Sequence, residues 1–161
     1  MTMRFALVNL FVVVMAVFLD QFIKLVVVAT MPLGSAIPVL PFLALLHARN
    51  EGIAFSMFAS LSGWTLAAAS SLVLLFVLWL WWNTPRERRL THFAFAIIFG
   101  GAVGNLIDRV TLGYVTDYIY FHTPVWSFAV FNLADAFITV GAALIILDEF
   151  WLLPRRARRG A

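Results

Sequence analysis

The sequence predicts an all-α integral membrane protein, a bundle of four transmembrane helices carrying a small extracytoplasmic β-hairpin or half-sheet on the membrane surface. Three observations predict it. The 161 residues are 63% hydrophobic and only 12% charged, whereas a soluble domain averages nearer half apolar and about a quarter charged. Four apolar runs approach the roughly 20 residues that a membrane helix needs. Eight of the eleven basic residues fall on one side of those runs. A chain with so little polar surface cannot cover itself in water, so its solvent is largely lipid.

The elements follow in order, as one polytopic domain over 1–161. The first span covers about 5–29 and is interrupted by Asp20, Gln21 and Lys24. Arg4 gives it the basic flank of a signal peptide, but the run is too long for one and no small-x-small site follows cleanly, so it reads as a retained helix. Pro32, Pro38 and Pro41 then argue against a continuous helix. Apolar runs at 42–48 and 53–58 flank Arg49-Asn50-Glu51-Gly52, a turn sequence, and predict a hairpin. The second span, about 64–82, has Trp64 and Trp82 at its ends, where indole rings sit at headgroup level. The third covers about 92–107 and the fourth about 132–151. Between them, 110–131 is rich in aromatics that favour the interface, among them Tyr114, Tyr118, Tyr120 and Trp126.

A net charge of +3 and a high pI would suit a nucleic-acid partner. The placement of the charge argues otherwise. Arg4, the link at Arg86, Arg88 and Arg89, and the tail at Arg155, Arg156, Arg158 and Arg159 read as topology signals, with both termini cytoplasmic. Lys24, Arg49 and Arg109 remain, and each lies beside a polar cluster.

Several chemistries lack their residues. Cysteine is absent, which removes disulfides, thiolate metal sites and a cysteine nucleophile. His47, His92 and His122 have no ligand spacing, so no metal is expected. No G-x-S-x-G occurs, and the glycines at 100–104 are followed by no Lys-Ser or Lys-Thr. No cofactor is expected.

A charge at the bilayer centre costs roughly 2.5 to 3.5 kcal/mol on insertion scales, so ionisable residues inside spans are functional candidates. Asp20 and Lys24, four apart, share a helix face; they read as an internal ion pair, with a direct chemical role as the alternative. Gly100, Gly101, Ala102 and Gly104 permit close helix approach. Asn105, Asp108 and Arg109 share a face beyond them, Asp108 and Arg109 reading as a snorkelling pair or as site residues. Asp117 and Asp135 lie at the same membrane face. Two carboxylates sharing a site do not both ionise readily, so one keeps a proton while the other acts as a base toward water. The helix start at Asp135 favours the base there, and the aromatic neighbours of Asp117 favour the acid. The alternative is that Asp135 only caps its helix and Asp117 only serves a turn.

At these residues the sequence resembles the bacterial signal peptidase II (lipoprotein signal peptidase) family over nearly its whole length. Five ordered blocks carry the likeness: Asp20-Gln21-Phe22-Ile23-Lys24, Asn50-Glu51-Gly52-Ile53-Ala54-Phe55-Ser56, residues 100–109, Val115-Thr116-Asp117, and Phe131-Asn132-Leu133-Ala134-Asp135. The resemblance implies an aspartic endopeptidase of the cytoplasmic membrane that cuts signal peptides from diacylglyceryl-modified prolipoproteins before the lipidated cysteine. It implies that Asp117 and Asp135 are catalytic, that Asn50, Gly52, Asn105, Arg109 and Asn132 line or support the site, and that Asp20 and Lys24 brace it. The expected partners are diacylated prolipoproteins and membrane lipids, with no nucleic acid, and the chain is expected to act as a monomer. A small transporter using Asp20, Lys24, Arg109 and Asp135 as an ion path is the competing reading; it would favour broken helices and inverted repeats, and no repeat is visible. A purely structural bundle is the third.

Overall fold

Apolar side chains point outward in this fold and polar ones inward, as a lipid solvent requires. A computed structural model describes residues 3–52 and 63–155. Its helices are Met3–Thr30 (α1), Gly63–Trp82 (α2), Arg89–Thr111 (α3) and Leu133–Leu147 (α4), the last running on through a π-helical turn at Asp148–Leu152. Each is long and apolar enough, with its continuation, to cross a membrane. Lipid offers the backbone no hydrogen bonds, so an apolar run of this length satisfies its N–H and C=O groups as a helix.

The helices divide by environment. α2 is apolar all round and exposes Leu72, Phe76 and Trp79, the mark of a lipid-facing helix. α3 is the central one, packed against α1, α2 and α4. Its small residues make this possible. A Cβ on Gly101 would meet the Ala134 carbonyl oxygen, and one on Gly104 would meet the Asp20 carboxylate. The close-packing role read from the glycines therefore holds, and Gly104 does more, since it leaves the space that a buried carboxylate occupies.

The extramembrane segments form a three-stranded antiparallel sheet. β1 (Ala36–Leu40) pairs with β2 (Leu43–Asn50), which pairs with β3 (Val115–Phe121), in the order β1-β2-β3. A small sheet was expected, but its hairpin differs. The run at 42–48 is the second strand, not the first: the chain turns at Pro41-Phe42, where Leu40 stands opposite Leu43. Pro38 lies on the edge strand, where a missing N–H is tolerated. The anticipated partner at 53–58 lies outside the described residues. The third strand comes instead from the aromatic segment after α3, whose alternation of Val115, Asp117 and Ile119 with Thr116, Tyr118 and Tyr120 fits a strand with two occupied faces.

This pairing puts the C-termini of α1 and α3 and the N-terminus of α4 at the sheet end. Arg4, Arg86, Arg88, Arg89 and Arg155 belong to the opposite helix ends; Arg156, Arg158 and Arg159 lie outside the described residues. Arg49 has an aromatic partner, its guanidinium lying 4.5 Å from the Tyr114 ring centroid.

Candidate active site

Helix α4 starts with a reciprocal cap. Asn132 Oδ1 accepts the Asp135 N–H at 3.0 Å, and Asp135 Oδ2 accepts the Asn132 N–H at 3.2 Å. Such a box satisfies two N–H groups that a helix start leaves open. It also aims the carboxylate, because Asp135 Oδ1 is left to accept Asn105 Nδ2 at 2.8 Å. Capping and chemistry are not alternatives at Asp135; the cap is what positions it.

Asp117 stands on β3 opposite Ala48 of β2. It is in a strand, so the turn reading is overturned: the backbone around it is occupied by pairing to β2. Its Oδ1 accepts Asn132 Nδ2 at 2.7 Å and its Oδ2 accepts Asn50 Nδ2 at 3.0 Å. Asn50 is held by the Gly52 N–H, which donates to Asn50 Oδ1 at 2.9 Å. Gly52 turns the chain there at φ +81, a conformation that glycine adopts without a Cβ penalty. Asp117 is only 2% exposed. Burial first, and the nearby Asp135 with it, push its carboxyl up to about 6 against the bonds from Asn50 and Asn132 and the charge of Lys24.

Behind the pair lies a buried ionic cluster. Lys24 Nζ reaches Asp20 Oδ2 at 2.8 Å, Asp108 Oδ2 at 3.0 Å and Asn105 Oδ1 at 2.9 Å. Asn105 Oδ1 also accepts from Asn132 Nδ2 at 3.1 Å. With its oxygen so occupied, the Asn105 amide must turn its NH2 to Asp135. Each carboxylate in turn holds an element that carries one of the two aspartates. Asp20 Oδ1 accepts the Ala134 N–H on α4 at 3.0 Å, and Asp108 Oδ2 accepts the Thr116 N–H on β3 at 3.0 Å. The ion pair expected of Asp20 and Lys24 is present, enlarged to a triad.

The Asp108–Arg109 pair is absent. Adjacent residues on a helix diverge by about 100°, so Asp108 turns inward to α1 while Arg109 faces outward. Arg109 lines a cleft of about 330 Å³ with Asn105 and Ala102 of α3, Leu66, Ala69, Ser70 and Val73 of α2, and Asp135 and Ile138 of α4. Asp135 is half-buried on this cleft and Asp117 is buried behind it. The structure thus brings together Asn50, Asn105, Asn132, Asp117 and Asp135, with Asp20 and Lys24 one layer behind, Gly52 at the edge and Arg109 on the cleft wall. Among the described residues no cluster of His, Cys, Asp or Glu could hold a metal ion.

The sequence assigns Gln21 no contact, and it reads Tyr118 as an interfacial aromatic, whereas the structure buries it. Gln21 Nε2 donates to Asp108 Oδ1 at 2.9 Å and to the Gly104 carbonyl at 3.1 Å. Tyr118 accepts the Leu133 N–H on its phenol oxygen at 3.1 Å. Their only sequence signal is adjacency, Gln21 following Asp20 and Tyr118 following Asp117.

Four membrane-length helices around a carboxylate-rich centre define the class, a polytopic membrane enzyme. The family model for signal peptidase (SPase) II matches residues 12–151, and the chain belongs to that family of peptidases. Lipoprotein signal peptidases from Brucella ovis and Brucella melitensis biotype 1 are each 58% identical over 142 residues, covering 88% of this chain and 89% of theirs. A bacterial membrane enzyme solved in meso at 1.9 Å superposes with a TM-score of 0.79 at 28% identity, over 89% of this chain and 93% of that one. A second, solved at 2.3 Å, gives 0.79 at 29% identity over 94% and 90%.

Proposed function

We propose that this chain removes the signal peptide from diacylglyceryl-modified prolipoproteins, cutting before the lipidated cysteine, with Asp117 and Asp135 as its catalytic pair. One observation carries the assignment of the pair: two carboxylates, one from a strand and one from a helix start, are held by the amides of Asn50, Asn105 and Asn132, and among the described residues neither makes a salt bridge, although Arg109 stands close enough to be felt by both. Amide donors fix a carboxylate in place and leave it able to exchange a proton.

Asp135, reached from the cleft, takes a proton from water, and the water oxygen attacks the scissile carbonyl carbon. Asp117, whose carboxyl holds its proton up to about 6, gives that proton to the carbonyl oxygen, leaving a tetrahedral diol. Asp135 then returns its proton to the amide nitrogen, the C–N bond breaks, and Asp117 recovers a proton from the diol hydroxyl. The products are a free signal-peptide carboxyl and the amine of the lipidated cysteine, and the pair ends as it began. Arg109, whose guanidinium makes only a 3.4 Å bond to the Asn105 carbonyl, has N–H groups to spare for a substrate carbonyl. The apolar wall of α2 suits the signal helix and acyl chains. Asp20 and Lys24 brace the site.

The chain is proposed to act as a monomer in the bacterial inner membrane, and the positive-inside rule supports its orientation: both termini cytoplasmic, the sheet resting on the outer surface with the active site beneath it. Purified protein in detergent should shorten a diacylated prolipoprotein on a gel and leave the unlipidated precursor intact. Cleavage of neither substrate would refute the function. The chain has no cysteine, so single cysteines at Ser35 and Thr123 should label only from outside; labelling from the cytoplasm would invert the placement.

A further inference from the structure

We propose that Tyr118 is a positioning residue that holds the strand of Asp117 to the helix of Asp135 through one hydrogen bond. The inference rests on the assignment of those two aspartates as the catalytic pair.

The pair has a geometric difficulty. One carboxylate belongs to a sheet outside the bundle and the other to a helix inside it, so their separation depends on how β3 docks on α4. Backbone bonds tie β3 to the residues ahead of α4: the Tyr118 and Ile119 N–H groups donate to the Phe131 carbonyl at 3.0 and 2.7 Å. They reach no further than Phe131. Beyond it, the bonds that join β3 to the helix are made by side chains.

Tyr118 follows Asp117, so the two side chains leave opposite faces of the strand. Asp117 meets Asn50 and Asn132; the Tyr118 ring enters the apolar cluster with Val27 and Met31, flanked by Leu45 and Leu133. From there its phenol oxygen accepts the Leu133 N–H at 3.1 Å. That N–H is the first of α4, and the next two go to Asp20 and Asn132. Each donor at this helix start thus has a different holder: β3, α1 and the cap. The ring is 4% exposed, and burial keeps the phenol neutral, raised to about 12, so it stays a neutral acceptor across the working pH range.

The bond can be cut from either end, with little other change at the acceptor and with loss of the Leu133 side chain from the cluster at the donor. Tyr118→Phe removes the acceptor and keeps the ring. Leu133→Pro removes the donor at the first helical position, where proline is tolerated. The preceding Asn132 is already extended, at φ −128 and ψ −177, as a residue before proline prefers to be. With full-length enzyme and diacylated prolipoprotein, each variant should lower kcat about tenfold, the effect of losing one hydrogen bond that positions the pair, with KM unchanged. The alkaline limb of the pH profile should move down, because a looser pair lets Asp135 raise Asp117 less. The double variant should be no slower than the slower single one, since both changes remove the same bond. Wild-type kcat in Tyr118→Phe, a lowered melting temperature with kcat and limb unmoved, or multiplying effects in the double variant would each overturn the inference. Asp117→Asn and Asp135→Asn in the same assay keep the two questions apart. If they are dead while Tyr118→Phe is normal, the pair stands and the tie falls; if they cleave, the pair itself falls.

Discussion

At the end remote from the sheet, Asp148 is fully buried, 3.2 Å from the Arg88 guanidinium and hydrogen-bonded by Thr91, with Glu149 2.6 Å from the same arginine. At the sheet end, Asp117 is also buried and Asp135 half-buried, but their nearest donors are uncharged amides. Cavities lie at both ends. One at the remote end, about 400 Å³ and lined by Trp81, Trp82, Arg86 and His92, contains no carboxylate, whereas the cleft of about 330 Å³ at the sheet end opens on Asp135. A carboxylate locked to arginine joins helices together. One oriented by asparagines is held just as firmly yet remains free to give and take a proton. The charge of the donor, more than burial or cavity size, separates the clamp from the candidate site.

Exchanging the carboxylates themselves should give the largest effect. Asp117→Asn and Asp135→Asn should each lower turnover by about 10² to 10⁴ or more, with the double variant little worse than either, because the pair acts as a unit. Melting temperature should stay near wild type, since each asparagine keeps the shape and gives up the buried charge. Substantial cleavage by either variant in the gel assay would erase the distinction between the two ends.

The triad behind the pair should behave as a clamp does. Lys24→Ala leaves Asp20 and Asp108 buried without their cation, a loss of about 3 to 5 kcal/mol. Asp20→Ala leaves Lys24 its bond to Asp108 and should cost less, and both should lower melting temperature and activity. Full stability with cleavage abolished would move these residues from bracing to chemistry. Arg88→Ala likewise leaves the fully buried Asp148 without its arginine and should cost a comparable amount, about 3 to 5 kcal/mol. It should depress the melting temperature and leave kcat alone; a fall in kcat at unchanged stability would mean that the remote end takes part in catalysis.

The smallest effect sharpens the comparison most. Asp117 is protonated up to about 6, so kcat/KM should fall as pH rises through that region and the acid is lost. The bond from Asn50 lowers the Asp117 value; removing it in Asn50→Ala should therefore move the alkaline limb to higher pH. Apparent values belong to the coupled pair, so the direction is the readout. An unmoved or lowered limb would deny that amide donors tune the pair.

Much of this was legible in the sequence, for identifiable reasons. Apolar runs of membrane length report helices because lipid permits the backbone little else. Asn132 and Asp135, three apart at a helix start, report a local cap that the structure contains. Asp20 and Lys24, one turn apart, report their ion pair. Each of these is a short-range fact written in spacing. The strands that pair with β2 lie on both sides of it, one at 36–40 and the other some 70 positions on at 115–121, while the partner read at 53–58 lies outside the described residues. No periodicity within 42–58 records that pairing. Asp108 was read with its neighbour Arg109, although its partners Lys24, Gln21 and Thr116 come from α1 and β3.

By itself, then, the sequence determined the solvent, the four helices, the expected orientation and the residue types of the candidate site, because hydropathy, spacing and charge placement act locally. Tertiary structure alone decided which carboxylates meet a cation and which meet amides. That choice is made where α1, β3 and α4 converge on α3, and it depends on Gly104 leaving room for Asp20 and on Asn105 having its oxygen occupied by Lys24 and Asn132. Donor and acceptor geometry between distant segments exists only once they are packed, and it is that geometry on which the proposed proton exchange between Asp117, Asp135 and water rests.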